Sequence, residues 1–308
     1  MTDLKSLGYI TVSTNDIDRW RTFAFDVLGF AEGSPPNGKG ADRSALYLRM
    51  DERAARIIVV PGETDRVVTV GWEVRDRAAL KRVRSALDAA GVEYTKLPLE
   101  ETEARRVEEA IAFDDPAGTH LEVFHGPVLD HSPVITPYGA RFVTGDQGMG
   151  HVVVPATDPN GMFKFYTEVL GFRSRGAFRV PLPPEFGPIR VRFLGINERH
   201  HSLAICPAMT QKDPGLIHIM VEVDTLDAVG AALDRVAASD AVRISSTLGR
   251  HTNDKMVSFY VRTPGDWDME FGTDGMRVDE TYYTAEEITA DSYWGHQWLG
   301  DPPAAMKP

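Results

Sequence analysis

One cysteine, Cys206, stands among 308 residues. An intrachain disulfide needs a pair, and thiolate zinc or iron–sulfur centres need several, so all of these are excluded and any metal must be held by histidine and carboxylate. Long hydrophobic runs are missing as well. No stretch approaches the roughly 18 apolar residues of a membrane-spanning helix, and Met1-Thr2-Asp3-Leu4-Lys5-Ser6 has no basic segment leading into an apolar one. A cytoplasmic protein without a membrane partner is the expectation. Positive charge is scarce: 33 Lys and Arg face 45 Asp and Glu, for a formal net charge of −12. Such a surface repels phosphate backbones and anionic lipid, so nucleic acid is not an expected partner.

What is present is ordinary globular composition, 43% hydrophobic and 25% charged, which argues against disorder. The length suggests two domains of about 150 residues, each able to bury a core. An internal repeat supports this. Gly8-Tyr9-Ile10-Thr11-Val12 through Val27-Leu28-Gly29-Phe30 matches Gly150-His151-Val152-Val153-Val154 through Val169-Leu170-Gly171-Phe172 without a gap. Val68 to Val74 and the helix after it match Ile217 to Val223 and its helix; Asp115 to Glu122 matches Thr263 to Glu270. Each half reads strand, helix, several strands, twice over. The expected fold is therefore α+β, two tandem duplicated domains of two βαβββ modules each, with helices packed on mixed sheet.

The division is placed near residue 135, inside the Pro- and Gly-interrupted stretch from Gly126 to Gly148, which gives domains 1–135 and 136–308. Pro35 to Gly40 and Pro181 to Pro188 are expected loops in equivalent places. The tail from Thr281 carries Tyr293, Trp294 and Trp298, so it is expected to pack on the second half, with only Asp301 to Pro308 frayed.

Chemically active side chains concentrate in one segment. Gly249-Arg250-His251-Thr252-Asn253-Asp254 leads into a strand from Met256 to Val261, a Thr263-Pro264-Gly265-Asp266 turn, and a second strand in which Glu270 sits between Met269 and Phe271. The order Gly249, His251, Phe259, Tyr260, Thr263, Pro264, Glu270 resembles the signature of the type I extradiol catechol dioxygenases, a branch of the vicinal oxygen chelate superfamily. Asp266 stands where that family carries Gly, with Gly265 one position earlier. The resemblance runs through Ser6-Leu7-Gly8-Tyr9, Leu46 to Asp51, Pro137-Tyr138-Gly139, Arg141 to Gly145 and Trp294-Gly295-His296, nearly the full chain.

The duplication acts as an internal control, because His151, His218 and Glu270 correspond to Tyr9, Thr69 and Glu122 in the first half. Taken singly, either histidine would read as a satisfied core residue. Together they occupy matched strand positions where the first copy tolerates Tyr and Thr, so a shared metal is the economical explanation. Two histidines and a carboxylate form a facial triad that leaves three octahedral positions open and suits non-haem Fe(II), with Mn(II) chemically possible.

The resemblance further implies that His201, His251 and Tyr260 surround the metal. His201 is chosen over its neighbour His200, which otherwise reads as a solvated turn residue. Asn253 and Asp254 are candidates for shaping the substrate pocket, with an Asx turn as the competing reading. His120, His125, His131, His296 and Cys206 read as structural.

By the same resemblance, the activity is cleavage of a catechol ring beside its two hydroxyls. Both atoms of O2 enter the product, a 2-hydroxy-6-oxo-dienoate. Tyr260 and His251 would hydrogen-bond the catechol oxygens and aid proton loss, while His201 would serve the oxygen side. The implied substrate is a bulky ring-substituted catechol of the dihydroxybiphenyl type, with steroid-catechols and alkylcatechols as alternatives, and the implied assembly is a homo-oligomer. A glyoxalase-like metal isomerase and a metal-free binding module are the rival classes. The His251–Tyr260 pair speaks against the first and retention of three ligands in one half against the second.

Overall fold

Period-two strands with apolar residues on both faces can be buried only inside a layered structure, and the computed structural model, described for residues 2–36, 44–183, 185, 187–210 and 215–306, arranges them as two sheets. The first half supplies β1 (Leu4–Thr14), β2 (Ala31–Glu32), β3 (Leu46–Arg49), β4 (Ile57–Pro61), β5 (Arg66–Val74), β6 (Thr95–Lys96), β7 (Val107–Asp114) and β8 (His120–Pro127). Their spatial order is β2-β3-β4-β1-β5-β8-β7-β6. The second half supplies β9 (His151–Ala156), β10 (Arg173–Arg179), β11 (Arg190–Gly195), β12 (Leu203–Pro207), β13 (His218–Glu222), β14 (Ile244–His251), β15 (Val257–Arg262) and β16 (Asp268–Thr273). These run β10-β11-β12-β9-β13-β16-β15-β14, the same order strand for strand. The duplicated α+β architecture expected from the repeat is present.

Helix starts follow the expected chemistry. Asp16 accepts from the Arg19 backbone N–H at 2.9 Å to begin α1 (Ile17–Arg21), and Asp158 accepts from Gly161 at 3.0 Å to begin the equivalent α4 (Pro159–Lys164). Both continue into π-helical segments, Thr22–Leu28 and Phe165–Val169, where apolar periodicity suggested regular helix. In the second modules, α2 (Arg77–Ala90) buries Leu80, Val83 and Leu87, and α5 (Leu226–Ala237) buries Val229, Ala232 and Val236. A further short helix, α3 (Leu99–Arg105), has no counterpart among the described residues of the second half.

One apolar core runs through both halves. Trp20 meets Trp267 at 5.7 Å between ring centroids, and Trp72 meets Phe172 edge-on at 5.1 Å. Arg49 still bonds the carbonyls of Asp130 and Ser132, while Val143 N–H already donates to Glu222. That changeover supports the division near residue 135, which we propose as the domain boundary. Asn37 to Gly40, Pro184 and Phe186 of the two expected loops lie outside the described residues.

The tail extends the second sheet at both edges. β17 (Glu286–Ile288) pairs with β10, and β18 (Ser292–Trp294) pairs with β14. The fraying expected from Asp301 onward does not hold through residue 306. Arg262 takes the carbonyls of Asp301 and Pro302, Ala304 N–H bonds Asp266 at 3.1 Å, and Ala305 is buried. No helix among the described residues is long and apolar enough to cross a membrane.

Candidate metal centre

Strand register decides which side chains meet. Met220 lies opposite both His151 and Glu270, and Tyr260 lies opposite Glu270 on the next strand. Paired residues share a face, and so do residues two apart on one strand, so His151, His218, Glu270, Ser258 and Tyr260 all project to one side. Their neighbours Val152, Ile219, Phe259, Val261, Met269 and Phe271 project to the other side, into the core. The apolar face anchors the strands, and the polar face is left for chemistry.

There, His151 Nε2 and His218 Nε2 are 3.1 Å apart and lie 3.4 and 3.5 Å from Glu270 Oε2. Two ligands at right angles on an ion with bonds of about 2.0–2.2 Å are separated by about 3 Å, so these atoms suit three adjacent positions around one divalent cation. Glu270 is 1% exposed, and among the described residues no Lys or Arg pairs with it. A buried carboxylate without a fixed Lys or Arg charge beside it is costly, which is a second reason the set fits a metal. Ser258 Oγ donates to Glu270 Oε1 at 2.6 Å, leaving Oε2 turned toward the histidine pair. Burial pulls the His151 imidazole down to about 4 despite its contact with Glu270. It is therefore neutral, as a ligand must be.

The equivalent position in the first half is closed by protein groups. Glu122 accepts from Tyr9 and receives Arg105 through both oxygens, at 3.3 and 3.2 Å. Arg105 belongs to α3, which has no counterpart among the described residues of the second half. Among the described residues every candidate metal cluster lies in the second half. Another of them, His251 with Asp291 and His296, is already committed: His296 bonds the Ser258 carbonyl at 3.0 Å and Ser292 Oγ at 2.7 Å.

The remaining expected residues gather around the triad. His251 Nε2 meets Tyr260 OH at 2.8 Å, and His251 Nδ1 faces the Asp291 carbonyl at 3.2 Å. Burial opposes charge on His251, but its hydrogen bonds to Asp291 and Glu270 outweigh burial and raise it well above the usual imidazole range. Glu270, conversely, is held well below the carboxylate range: burial is overcome by His151, His218 and His251. Burial, reinforced by Glu270, raises Tyr260 well above its ordinary value. His201 stacks on His151 with ring centroids 4.0 Å apart, and burial together with His151 and His200 lowers it well below 6.5.

These groups line a cavity of about 350 Å³ with an apolar wall that includes Val153, Phe178, Val191, Phe193 and Ile217. Asn253 and Asp254 line it too; Asp254 also accepts from Met256 N–H at 3.1 Å, so the Asx-type bond coexists with a pocket position. Asn253 Oδ1 is buried and has no hydrogen-bond partner among the described residues.

Several features were not legible in sequence. His200 is 3% exposed, not solvated, because Tyr283 of the tail covers it and bonds its Nε2 at 2.9 Å. His296 stacks on His251 at 4.0 Å, and Gly249 is required there because a Cβ would come within 2.7 Å of the His296 ring. Asp266 takes a left-handed φ of 59°, which explains the family's Gly; Asp tolerates it and bonds Arg262 at 2.9 Å. Ser258 could have been found, since it lies two residues before Tyr260 on the same face.

Comparison with known proteins agrees with this geometry. Residues 7–62 match the family model described as dihydroxybiphenyl dioxygenase BphC D1, and residues 148–271 match the glyoxalase/bleomycin resistance protein/dioxygenase superfamily. An iron-dependent extradiol dioxygenase of Rhodococcus jostii is 46% identical over 96% of this chain and 97% of its own length. A biphenyl-2,3-diol 1,2-dioxygenase of Paraburkholderia xenovorans is 38% identical over 98% of both. The crystal structure of BphC, a halotolerant catechol dioxygenase, superposes with a TM-score of 0.87 at 32% identity, covering 98% of both chains. With relatives this similar over nearly their whole length, and with two histidines and a buried glutamate converging beside a histidine–tyrosine pair, the chain belongs to the extradiol dioxygenase family.

Proposed function

We propose that the protein is an Fe(II)-dependent extradiol dioxygenase that opens a bulky catechol of the biphenyl-2,3-diol type. The observation that carries the reading is Glu270, buried without a Lys or Arg partner among the described residues and facing His151 and His218 at 3.4 and 3.5 Å, on the wall of the cavity that His251 and Tyr260 also line. His151, His218 and Glu270 would hold the iron. Bound there, Fe(II) lets a closed-shell catechol and triplet dioxygen exchange electron density, a reaction that is slow in its absence.

The protein's own groups do the rest. Tyr260, bonded to His251 at 2.8 Å, is placed to hydrogen-bond a catechol oxygen, and the charge that His251 carries beside it favours the ionised catechol. On the opposite side His201, stacked on His151, has the position of a group that holds and later returns a proton near the oxygen-derived atoms. Asn253 Oδ1 offers an unpaired acceptor to a polar substituent. The apolar wall excludes water and gives a second ring roughly 1.5–3 kcal/mol of burial, about one to two decades in affinity.

The test is a series of steady-state assays on Fe(II)-reconstituted protein with catechol, 3-methylcatechol, biphenyl-2,3-diol and a steroid catechol. The reading expects the highest kcat/KM for biphenyl-2,3-diol. If unsubstituted catechol equalled it, the bulky-substrate part would fail while ring cleavage stood. Assembly as a homo-oligomer in the cytoplasm completes the proposal, and light scattering on the purified protein checks the assembly.

A further inference from the structure

His201 does not stand alone behind the pocket. Its Nδ1 lies 3.0 Å from Nδ1 of His200, whose Nε2 lies 2.9 Å from the Tyr283 hydroxyl, which in turn donates to the backbone carbonyl of Arg175 at 2.6 Å. The final link fixes the direction of every other one. A carbonyl can only accept, so the Tyr283 proton is committed to Arg175, and the phenol oxygen can only accept from His200. His200 must then carry its proton on Nε2 and present a lone pair at Nδ1. Facing that lone pair, His201 must carry its proton on Nδ1, and its Nε2 is left as a free base. Asp254, with Oδ2 3.8 Å from His201 Nδ1, favours a proton at the same atom.

We propose that His200 and Tyr283 are positioning residues that lock His201 into the Nδ1–H tautomer, so that it presents an unprotonated Nε2 to the reaction pocket. The inference rests on the proposed role of His201 only for its kinetic consequence; the tautomer follows from the hydrogen bonds alone. The chain is a lock and not a proton wire. Its outer end is a backbone carbonyl, which has no proton to supply. The lock is also built from distant parts of the chain. Tyr283 belongs to the tail and Arg175 to β10, and the guanidinium of Arg175 lies over the Tyr283 ring at 5.2 Å, holding the phenol in place. Strands near the pocket thereby depend on the tail for the protonation pattern of His201.

The direct test uses long-range proton–nitrogen NMR on the iron-free full chain labelled with 15N-histidine, which reports the protonated nitrogen of each ring. The expected result is His201 protonated at Nδ1 and bare at Nε2, with His200 protonated at Nε2. In Tyr283→Phe the His200 pattern should lose its preference, and in His200→Phe that of His201 should do so. In the iron-loaded enzyme both variants should lower kcat about tenfold or more, as loss of an orienting partner does elsewhere, with iron content and KM unmoved. His200→Asn, whose amide oxygen can accept from His201 Nδ1, should recover much of the loss. A proton on His201 Nε2 in the unaltered protein, or an unchanged His201 tautomer in His200→Phe, overturns the proposal. Should His200→Phe fail to fold, Tyr283→Phe, at a partly exposed site, decides alone. Since the NMR result needs neither iron nor substrate, it stands apart from any failure of the ring-cleavage reading.

Discussion

Glu122 and Glu270 occupy the same place in the two halves, each 1% exposed, and they differ in what neutralises them. Glu122 has Arg105 at 3.2 Å, whereas Glu270 faces histidines, Ser258 and Tyr260, with no Lys or Arg partner among the described residues. A built-in guanidinium makes the first site self-sufficient, whereas the second is the site we propose for a metal ion. Glu122→Gln should therefore leave kcat and KM unchanged while lowering Tm, because Arg105 and Tyr9 lose their charged partner; about 1–3 kcal/mol is expected for such a buried hydrogen-bonded pair. A loss of turnover with the fold intact by circular dichroism would show that the first half carries chemistry.

Replacing His151, His218 or Glu270 with Ala should abolish both bound iron and activity, since two protein ligands do not make a stable site. Metal analysis beside an oxygen-uptake assay checks this. Full iron with ordinary turnover in any of the three would remove that residue from the ligand set.

Tyr260→Phe separates binding from chemistry. Its hydroxyl bonds His251 and is not one of the three converging ligand atoms, so iron should remain while kcat falls by about 10²–10⁴-fold, the usual contribution of an acid–base group. Loss of metal in this variant would mean that the phenol belongs among the ligands.

Acid should weaken the iron-free protein. His151 and His200 are each held at about 4 in the folded state against about 6.5 unfolded. For a histidine with a lowered folded value, the unfolded chain binds the extra proton, so stability is fully present above pH 6.5 and is lost as pH falls toward 4. Thermal melts from pH 7 to pH 4.5 should show falling Tm, with a shallower fall in His200→Gln. A flat profile would mean that the two rings are solvated in the native state.

How much of this was visible beforehand depended on the range of the contact. The strand repeat singled out His151, His218 and Glu270 because matched positions in a duplicated sheet share a face, whereas Tyr260 came from the family resemblance and its pairing opposite Glu270 is a finding of the structure. Arg105 was invisible as a counter-ion: it sits 17 residues from Glu122 on a helix without a counterpart among the described residues of the second half. The burial of His200 depends on Tyr283, 83 residues away, so its adjacency to a turn misled. Asp266 looked like a departure from the family turn until its left-handed φ showed that the position tests backbone conformation and not residue name.

The central claim is that this histidine and carboxylate set carries iron-dependent ring opening. An oxygen electrode run beside an absorbance trace on biphenyl-2,3-diol tests it most directly, comparing protein loaded anaerobically with Fe(II) against the same protein stripped by chelator. The account predicts equimolar consumption of dioxygen and substrate with appearance of a yellow dienoate in the loaded protein, and neither signal in the stripped one. Full iron occupancy without oxygen uptake on any catechol, or equal turnover after the iron is removed, would contradict it.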